Sequence, residues 1–120
     1  MRNFRNLDIW KGAIDMAVDV YVATQGFPRE EEFGLKSQLR RASVSVSFNI
    51  AEGSSRSSER EYIRFLEIAE GSALEVETQL IVSTRVGMLT PGEFEILMQQ
   101  ILSLQRRINS LIQKIRKGIK

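Results

Sequence analysis

Apolar residues recur at intervals of three and four along four segments of this 120-residue chain, which is the spacing of one face of an α-helix. The first segment covers roughly residues 7–25. We expect Asp8 to cap this helix and Gly26 to end it. The face that it buries is predicted to consist of Trp10, Ile14, Ala17, Tyr21 and Thr24.

The second segment contains a run in which two periodicities overlap. Between Ser43 and Ile50 polar and apolar residues alternate as they do in a strand, but a helical series continues through the same run: Leu35, Leu39, Ala42, Val46 and Ile50. No turn residue separates the alternating part from the helical part, and no other segment offers a strand to pair with. Because a lone strand leaves its backbone groups unpaired, we predict a helix, which starts at Pro28 and the three glutamates after Arg29.

The third and fourth segments carry start signals. Ser58 precedes Glu61 by three residues, which is the spacing of a capping box. Thr90 and Glu93 repeat that spacing, and Pro91 stands at the first helical position. The chain therefore predicts a third helix after Ser58 and a fourth after Thr90.

The apolar faces of these two helices are long. The third is predicted to bury Tyr62, Phe65, Ala69, Ser72, Val76, Gln79 and Ser83, widened by Leu66, Ala73 and Leu80, and to end at Gly87. The fourth carries a heptad-like seam of Phe94, Leu97, Ile101, Leu104, Ile108, Leu111 and Ile115. Four helices with short connections predict an all-α, up-down-up-down antiparallel four-helix bundle, with residues 1–120 as a single domain.

Composition narrows the possible chemistry. The chain has no cysteine and no histidine, so a disulfide framework, a thiolate metal site and a histidine base are excluded. Charged residues interrupt the N-terminal segment, which therefore does not resemble a signal peptide, and no uncharged run approaches the roughly 18 residues of a membrane span. We expect a cytoplasmic protein with no membrane association.

Basic residues are concentrated near the C-terminus. Residues 96–120 contain six basic and no acidic side chains, while the other 95 residues hold 11 basic and 15 acidic side chains. One interpretation is a well-solvated last helix whose cations lie near its negative dipole end. The other is an electrostatic footprint for nucleic acid.

Candidate nucleic-acid contacts follow from the second interpretation: Arg40, Arg56, Arg60, Arg106, Arg107, Lys114 and Lys117. Residues 53–58 form a serine-rich connection whose backbone amides and nearby arginines suit a phosphate, although an ordinary capped loop has the same composition. A second set of polar residues is expected to fix helix register as a structural network: Gln38, Arg41, Asn49, Glu52 and Glu75.

No residue pattern indicates catalysis. Glu67, Glu70 and Glu77 share part of the third helix, but their spacing does not identify a magnesium-dependent nuclease. We expect no enzyme activity, no metal and no cofactor. Trp10 and Tyr21 are interpreted as core or subunit-interface residues rather than base-stacking platforms.

Several motifs resemble those of a known family, the bacterial four-helix-bundle proteins encoded in 23S rRNA intervening sequences. The motifs are Gln-Leu-Arg-Arg-Ala at residues 38–42, Ser45, and Asn-Ile-Ala-Glu-Gly at residues 49–53. Flanking matches include Phe27-Pro28 and Phe33-Gly34-Leu35. The family often has proline where Ser47 stands here, so any kink at this position is expected to be weaker.

This resemblance implies a helical bundle of unestablished biochemical role. It also implies similarity to the accessory proteins of diversity-generating retroelements, which are bundles that assemble as rings, with a pentamer expected, and bind nucleic acid and a reverse transcriptase. The resulting hypothesis is a non-enzymatic homo-oligomer that binds RNA or DNA through basic surfaces and serves as a scaffold for a protein partner. The alternative is a protein-interaction or self-assembly module without a nucleic-acid role.

Overall fold

The computed structural model describes residues 2–119 and contains four α-helices. They are α1 (Asp8–Thr24), α2 (Leu35–Ser54), α3 (Glu59–Arg85) and α4 (Pro91–Gly118), and short 3-10 turns occupy Phe4–Asn6 and Arg29–Glu31. Each helix packs on the next, and α1 packs on α4, which closes a bundle with principal extents of 50 × 21 × 20 Å. No strand occurs between residues 2 and 119, and the predicted all-α four-helix bundle is confirmed.

The ambiguous run in the second segment is helical. α2 extends without interruption through residues 43–50, with Val46 and Ile50 fully buried. The other two apolar members of the alternating series, Val44 and Phe48, lie on the exposed face of the helix. The strand-like alternation therefore arises because this helix has apolar residues on two opposite faces.

The predicted start of α2 was wrong. Glu30 and Glu31 belong to the separate 3-10 turn, Glu32 follows that turn as its C-cap, and α2 begins only at Leu35. Glu31 nevertheless contributes to the helix start, because its carboxylate accepts a hydrogen bond from the Leu35 amide at 3.0 Å. An acidic side chain thus stabilises the positive end of α2 from outside the helix.

The predicted buried face of α1 was largely wrong. The structure buries Ala17 and Thr24 as expected, but Trp10 is half-buried and Tyr21 is exposed. The core side of α1 is instead formed by Ile9, Ala13, Met16 and Val20. The prediction that Asp8 is the N-cap was also wrong, because Leu7 occupies that position without a side-chain hydrogen bond. Both series have helical spacing, so packing against α2 and α4 decides between them.

The predicted start and end of α3 and the predicted start of α4 are confirmed. Ser58 accepts a hydrogen bond from the Glu61 amide at 3.1 Å, and Gly87 ends α3 at a positive φ of 82°. Thr90 and Glu93 form a complete capping box, with reciprocal bonds of 3.1 and 3.0 Å. The seam of α4 is buried except for the partly buried Phe94 and Leu111, and Ile112 joins it.

Candidate nucleic-acid interface

The fold gathers basic residues at one end of the bundle, formed by residues 2–12, 49–70 and 104–119, which we call the basic end. Arg2 joins the N-terminus to the α2–α3 connection, since its guanidinium donates to the Ser54 and Arg56 carbonyls. The Arg116–Glu67 ion pair, at 2.7 Å, joins α4 to α3 at the same end. The basic end contains eleven basic and six acidic side chains, whereas the rest of residues 2–119 contains five and nine. The bundle is therefore electrostatically polarised along its length.

Four of the predicted nucleic-acid contacts form a single surface on α4, which we call the cationic arc: Arg106, Arg107, Lys114 and Lys117. All four are exposed, and at 100° per residue they fall within about 100° of the helix circumference. Within residues 2–119 none of the four forms an ion pair with a carboxylate. Arg116, by contrast, points towards α3 and is neutralised by Glu67.

Arg107 is held close to the neighbouring helix α1. Its Nη2 atom lies 2.8 Å from the point at which a Cβ on Gly12 would stand, and Leu104 is also close, at 3.2 Å. The absence of a side chain at Gly12 therefore lets the guanidinium lie against the α1 backbone. This contact limits the freedom of one cation of the arc without neutralising its charge.

Arg40 does not join the cationic arc. Its Nε donates to the Thr24 hydroxyl at 2.8 Å, its Nη2 donates to the Tyr21 carbonyl at 3.0 Å, and its guanidinium stacks on the Tyr21 ring at 4.4 Å. These contacts tie α2 to the last turn of α1, in the half of the bundle away from the basic end.

The serine-rich connection uses its polar groups internally. The hydroxyls of Ser54 and Ser55 donate to backbone carbonyls three residues earlier, at 2.8 and 2.7 Å, and the Ser58 hydroxyl caps α3. Arg56 pairs with Glu52 at 2.5 Å and stacks on the Phe65 ring at 4.7 Å. Its charge is neutralised, so of the two arginines predicted here only Arg60 remains exposed and outside any ion pair among residues 2–119.

The side chain of Arg2 packs against this α2–α3 connection. Besides its bonds to the two carbonyls, it forms an ion pair with Glu59 and stacks on the Tyr62 ring at 4.2 Å. Burial raises the pKa of the Tyr62 phenol, an effect that Arg2 opposes and Glu59 reinforces. Sequence analysis did not identify Arg2 as a residue that holds the N-terminus against the α2–α3 connection. The only sequence feature that indicated it is the position of an arginine before the first apolar series.

The predicted polar network divides into separate groups. Asn49 donates to the carbonyl and hydroxyl of Ser45 within α2, at 2.9 and 3.1 Å. Gln38 and Glu75 meet at Gln79, which donates to them at 3.4 and 3.3 Å. The other two members lie elsewhere, since Glu52 pairs with Arg56 and Arg41 is exposed. The contact between Gln38 and Gln79 is the part of this set that joins α2 to α3.

The carboxylates of α3 are dispersed. Glu67 pairs with Arg116, and Glu77 accepts a hydrogen bond from Gln105 at 2.8 Å. Burial raises the pKa of the Glu70 carboxyl, the Glu67 charge raises it further, and Arg116 opposes both. Within residues 2–119, no three acidic side chains lie close enough together to hold a metal ion. None of the helices described is long and apolar enough to cross a membrane.

The fold and the charge distribution define a class of protein, an elongated four-helix bundle with a cationic surface on its last helix. Residues 5–110 match the model of the 23S rRNA-intervening sequence protein family, and the chain belongs to this family. Its structure is similar to the crystal structure of a protein of unknown function from the S23 ribosomal protein family of Bacteroides thetaiotaomicron. The two have a TM-score of 0.79 and 23% sequence identity over 87% of this chain and 97% of that chain, a likeness that shows the fold. No curated protein matches the sequence.

Proposed function

We propose that this protein is a non-enzymatic, homo-oligomeric helical bundle that binds RNA or DNA through the cationic arc of α4. Its role would be that of a scaffold for an RNA-processing or reverse-transcribing partner. The observation that supports it most directly is the arc itself, four exposed cations on one side of one helix without a carboxylate partner among residues 2–119. Phosphate groups are the anions that such a surface attracts in a cell.

The expected mode of binding is sequence-independent. Lysine and arginine side chains that contact phosphates release condensed counterions, which makes affinity fall steeply with salt. Arg106 and Lys117 are eleven residues apart, so at 1.5 Å per residue the arc extends for about 16 Å along the helix axis. This length matches several consecutive phosphates of one strand, and contacts to phosphates carry no sequence information.

Fluorescence anisotropy with labelled structured RNA and duplex DNA tests this function. The test variant is Arg106→Glu/Lys114→Glu, and the matched control is Arg29→Glu/Arg85→Glu, which reverses two exposed arginines in the other half of the bundle. Both variants change the net charge equally. The proposal expects binding to be lost in the first variant and retained in the second, and equal loss in both would contradict it.

A second candidate function is supported by the exposed apolar side chains of α1, α2 and the 3-10 turn region. Phe33 is 92% exposed and Phe48 is 59% exposed, which is unusual for large apolar residues. A self-assembly or protein-interaction module without a nucleic-acid role accounts for them. If wild-type protein assembles but binds neither RNA nor DNA at low salt, this second function replaces the first.

A further inference from the structure

A polar groove lies between α1 and α4 beside the cationic arc. It has a volume of about 340 Å³, which is within the range of roughly 300–1,000 Å³ that small-ligand sites occupy. Its lining combines a cation, a carboxylate, a hydroxyl and two amides: Gly12 and Asp15 from α1, and Gln99, Gln100, Ser103 and Arg107 from α4. No aromatic or aliphatic side chain from residues 2–119 is part of this lining, so the groove suits a ligand that forms hydrogen bonds.

Arg107 belongs to both the polar groove and the cationic arc. Its guanidinium is held against the α1 backbone at Gly12, so its position beside the groove is restrained. Ser103 precedes Arg107 by about one helical turn, roughly 6 Å along the axis, and at 100° per residue it lies on the same side of α4 as the arc. A strand whose phosphates contact the arc would therefore continue along the groove.

Asp15 brings a negative charge to the polar groove. It is exposed, and it forms no ion pair among residues 2–119, not even with Arg107, which lines the same groove. An ionised carboxylate only accepts hydrogen bonds, and it repels a phosphate. The groove thus offers one residue that attracts a phosphate and another that favours a neutral hydroxyl donor, and a ribonucleotide carries both of these groups.

Gln100 contributes a second acceptor, which is unsatisfied. Its Nε2 donates to the Asp19 carboxylate at 2.8 Å, and because an ionised carboxylate cannot donate, this bond fixes the orientation of the amide. The Oε1 atom is consequently left buried and without a hydrogen-bond partner among residues 2–119. Buried acceptors of this kind are rare in folded proteins, since leaving one unpaired costs free energy. A ligand that donates a hydrogen bond to this atom removes that cost.

We propose that the polar groove holds the ribose of an RNA strand and makes this protein bind RNA in preference to DNA. The phosphate of the same nucleotide lies on Arg107, and the 2′-hydroxyl donates to Asp15 or to the Oε1 atom of Gln100, with Ser103 as a further hydrogen-bonding group. Deoxyribose lacks this donor, and the 2′-hydroxyl is the group by which proteins distinguish RNA from DNA. The inference rests on the nucleic-acid part of the proposed function and names its substrate class.

Fluorescence anisotropy with unpaired RNA and DNA strands of one sequence tests the inference, with deoxyuridine in place of thymidine in the DNA. The two strands then differ only in the 2′-hydroxyl, without the difference between A-form and B-form duplexes. Wild type is expected to bind the RNA strand about tenfold more tightly, which is the value of one hydrogen bond to a charged acceptor. Asp15→Ala/Ser103→Ala is expected to bind both strands with equal affinity.

The matched control is Asp8→Ala/Ser110→Ala, which removes the same two side-chain types from exposed positions on α1 and α4 that do not line the groove. This control is expected to keep the wild-type preference for RNA. Each variant loses one negative charge, which changes its affinity for both strands together, so the ratio of the two affinities isolates the effect of the hydroxyl. Circular dichroism establishes that each variant retains its helix content.

The outcomes separate this inference from the proposed function. A wild type that binds neither strand overturns both, whereas a wild type that binds RNA and DNA equally overturns the inference alone. A preference for RNA that persists in Asp15→Ala/Ser103→Ala, or that is lost equally in the control, also overturns it. A free ribonucleoside 5′-monophosphate carries the same phosphate and hydroxyl. If it displaces the RNA strand at a comparable concentration, the assignment of the groove to a strand is wrong, because a free nucleotide cannot span the cationic arc.

Discussion

Arg40 lies 2.8 Å from Thr24, with the guanidinium Nε donating to the threonine hydroxyl at the junction of α1 and α2. Thr24 is fully buried, and its hydroxyl also donates to the Val20 carbonyl at 2.8 Å. The next residue, Arg41, is exposed. Two adjacent arginines therefore have different roles, since one holds two helices together and the other is available to a partner.

Arg40→Ala is expected to lower the free energy of unfolding. Removing the guanidinium deletes hydrogen bonds to Thr24 and to the Tyr21 carbonyl, and a lost charged donor of this kind costs about 1–3 kcal/mol. The control is Arg106→Ala on the exposed side of α4, for which we expect a change within about 0.5 kcal/mol. Urea unfolding of both variants, followed by circular dichroism, measures the difference. Equal stability of the two would contradict the role assigned to Arg40.

Two glycines are expected to respond to alanine in opposite directions. A Cβ on Gly53 would lie 2.8 Å from the Cβ of Phe65 and 3.2 Å from the Tyr62 carbonyl oxygen, where α2 approaches α3. Gly53→Ala should therefore lower stability by about 1–3 kcal/mol, the typical cost of overpacking. Gly71 lies inside α3 with nothing within 4 Å of its Cβ position, so Gly71→Ala should raise stability by roughly 0.5–1 kcal/mol.

Thermal and urea unfolding of both glycine variants test this pair. Because both substitutions add one methyl group to a helix, any general effect of alanine on helix propensity is common to them. A stabilising Gly53→Ala change would show that α2 and α3 do not approach as closely as described.

The stability contribution of Glu70 is expected to depend on pH. Burial and the Glu67 charge raise the pKa of its carboxyl, so the folded protein binds this proton more tightly than the unfolded chain does. The stability that the protonated Glu70 carboxyl contributes is fully present below the pKa of this group in the unfolded chain. It is lost as pH rises through the raised pKa of the folded protein. Ionised Glu70 therefore costs stability at neutral pH.

Glu70→Gln should consequently be more stable than wild type at pH 7. The advantage should shrink as pH falls through the raised pKa of Glu70, and it should be gone below the ordinary glutamate pKa of 4.5, where Glu70 is protonated in both the folded and the unfolded chain. Urea unfolding of both proteins across this range measures the difference. A difference that does not change with pH would contradict the assigned shift.

Helix periodicity accounts for most of what the sequence predicted correctly. The helical series through α2 is predicted correctly, because Leu39, Val46 and Ile50 are all core residues. The strand-like alternation arises because Val44 and Phe48 form a second, exposed apolar face of the same helix. Prediction failed on α1, where the large aromatic side chains of Trp10 and Tyr21 indicated one face and packing selected another. Sequence spacing alone gives no measure of which face meets the neighbouring helices.

The candidate site was predictable only in part. The cationic arc could be located because its members lie close together in sequence on one helix. The neutralisation of Arg56 by Glu52 has the i, i+4 spacing of a local ion pair and was accessible from sequence. The pairing of Arg116 with Glu67, 49 residues away, and the docking of Arg40 on α1 depend on tertiary structure.

The measurement that tests the central claim most directly is the salt dependence of nucleic-acid affinity for wild type and for Arg106→Glu/Lys114→Glu. If all four cations of the arc contact phosphates of duplex DNA, log K should fall against log salt with a slope of about −3.6. The variant is expected either to bind too weakly for a slope to be measured or to show a slope that is less negative than that of wild type by about two. A wild type that does not bind at low salt, or a variant with the wild-type slope, would contradict the account.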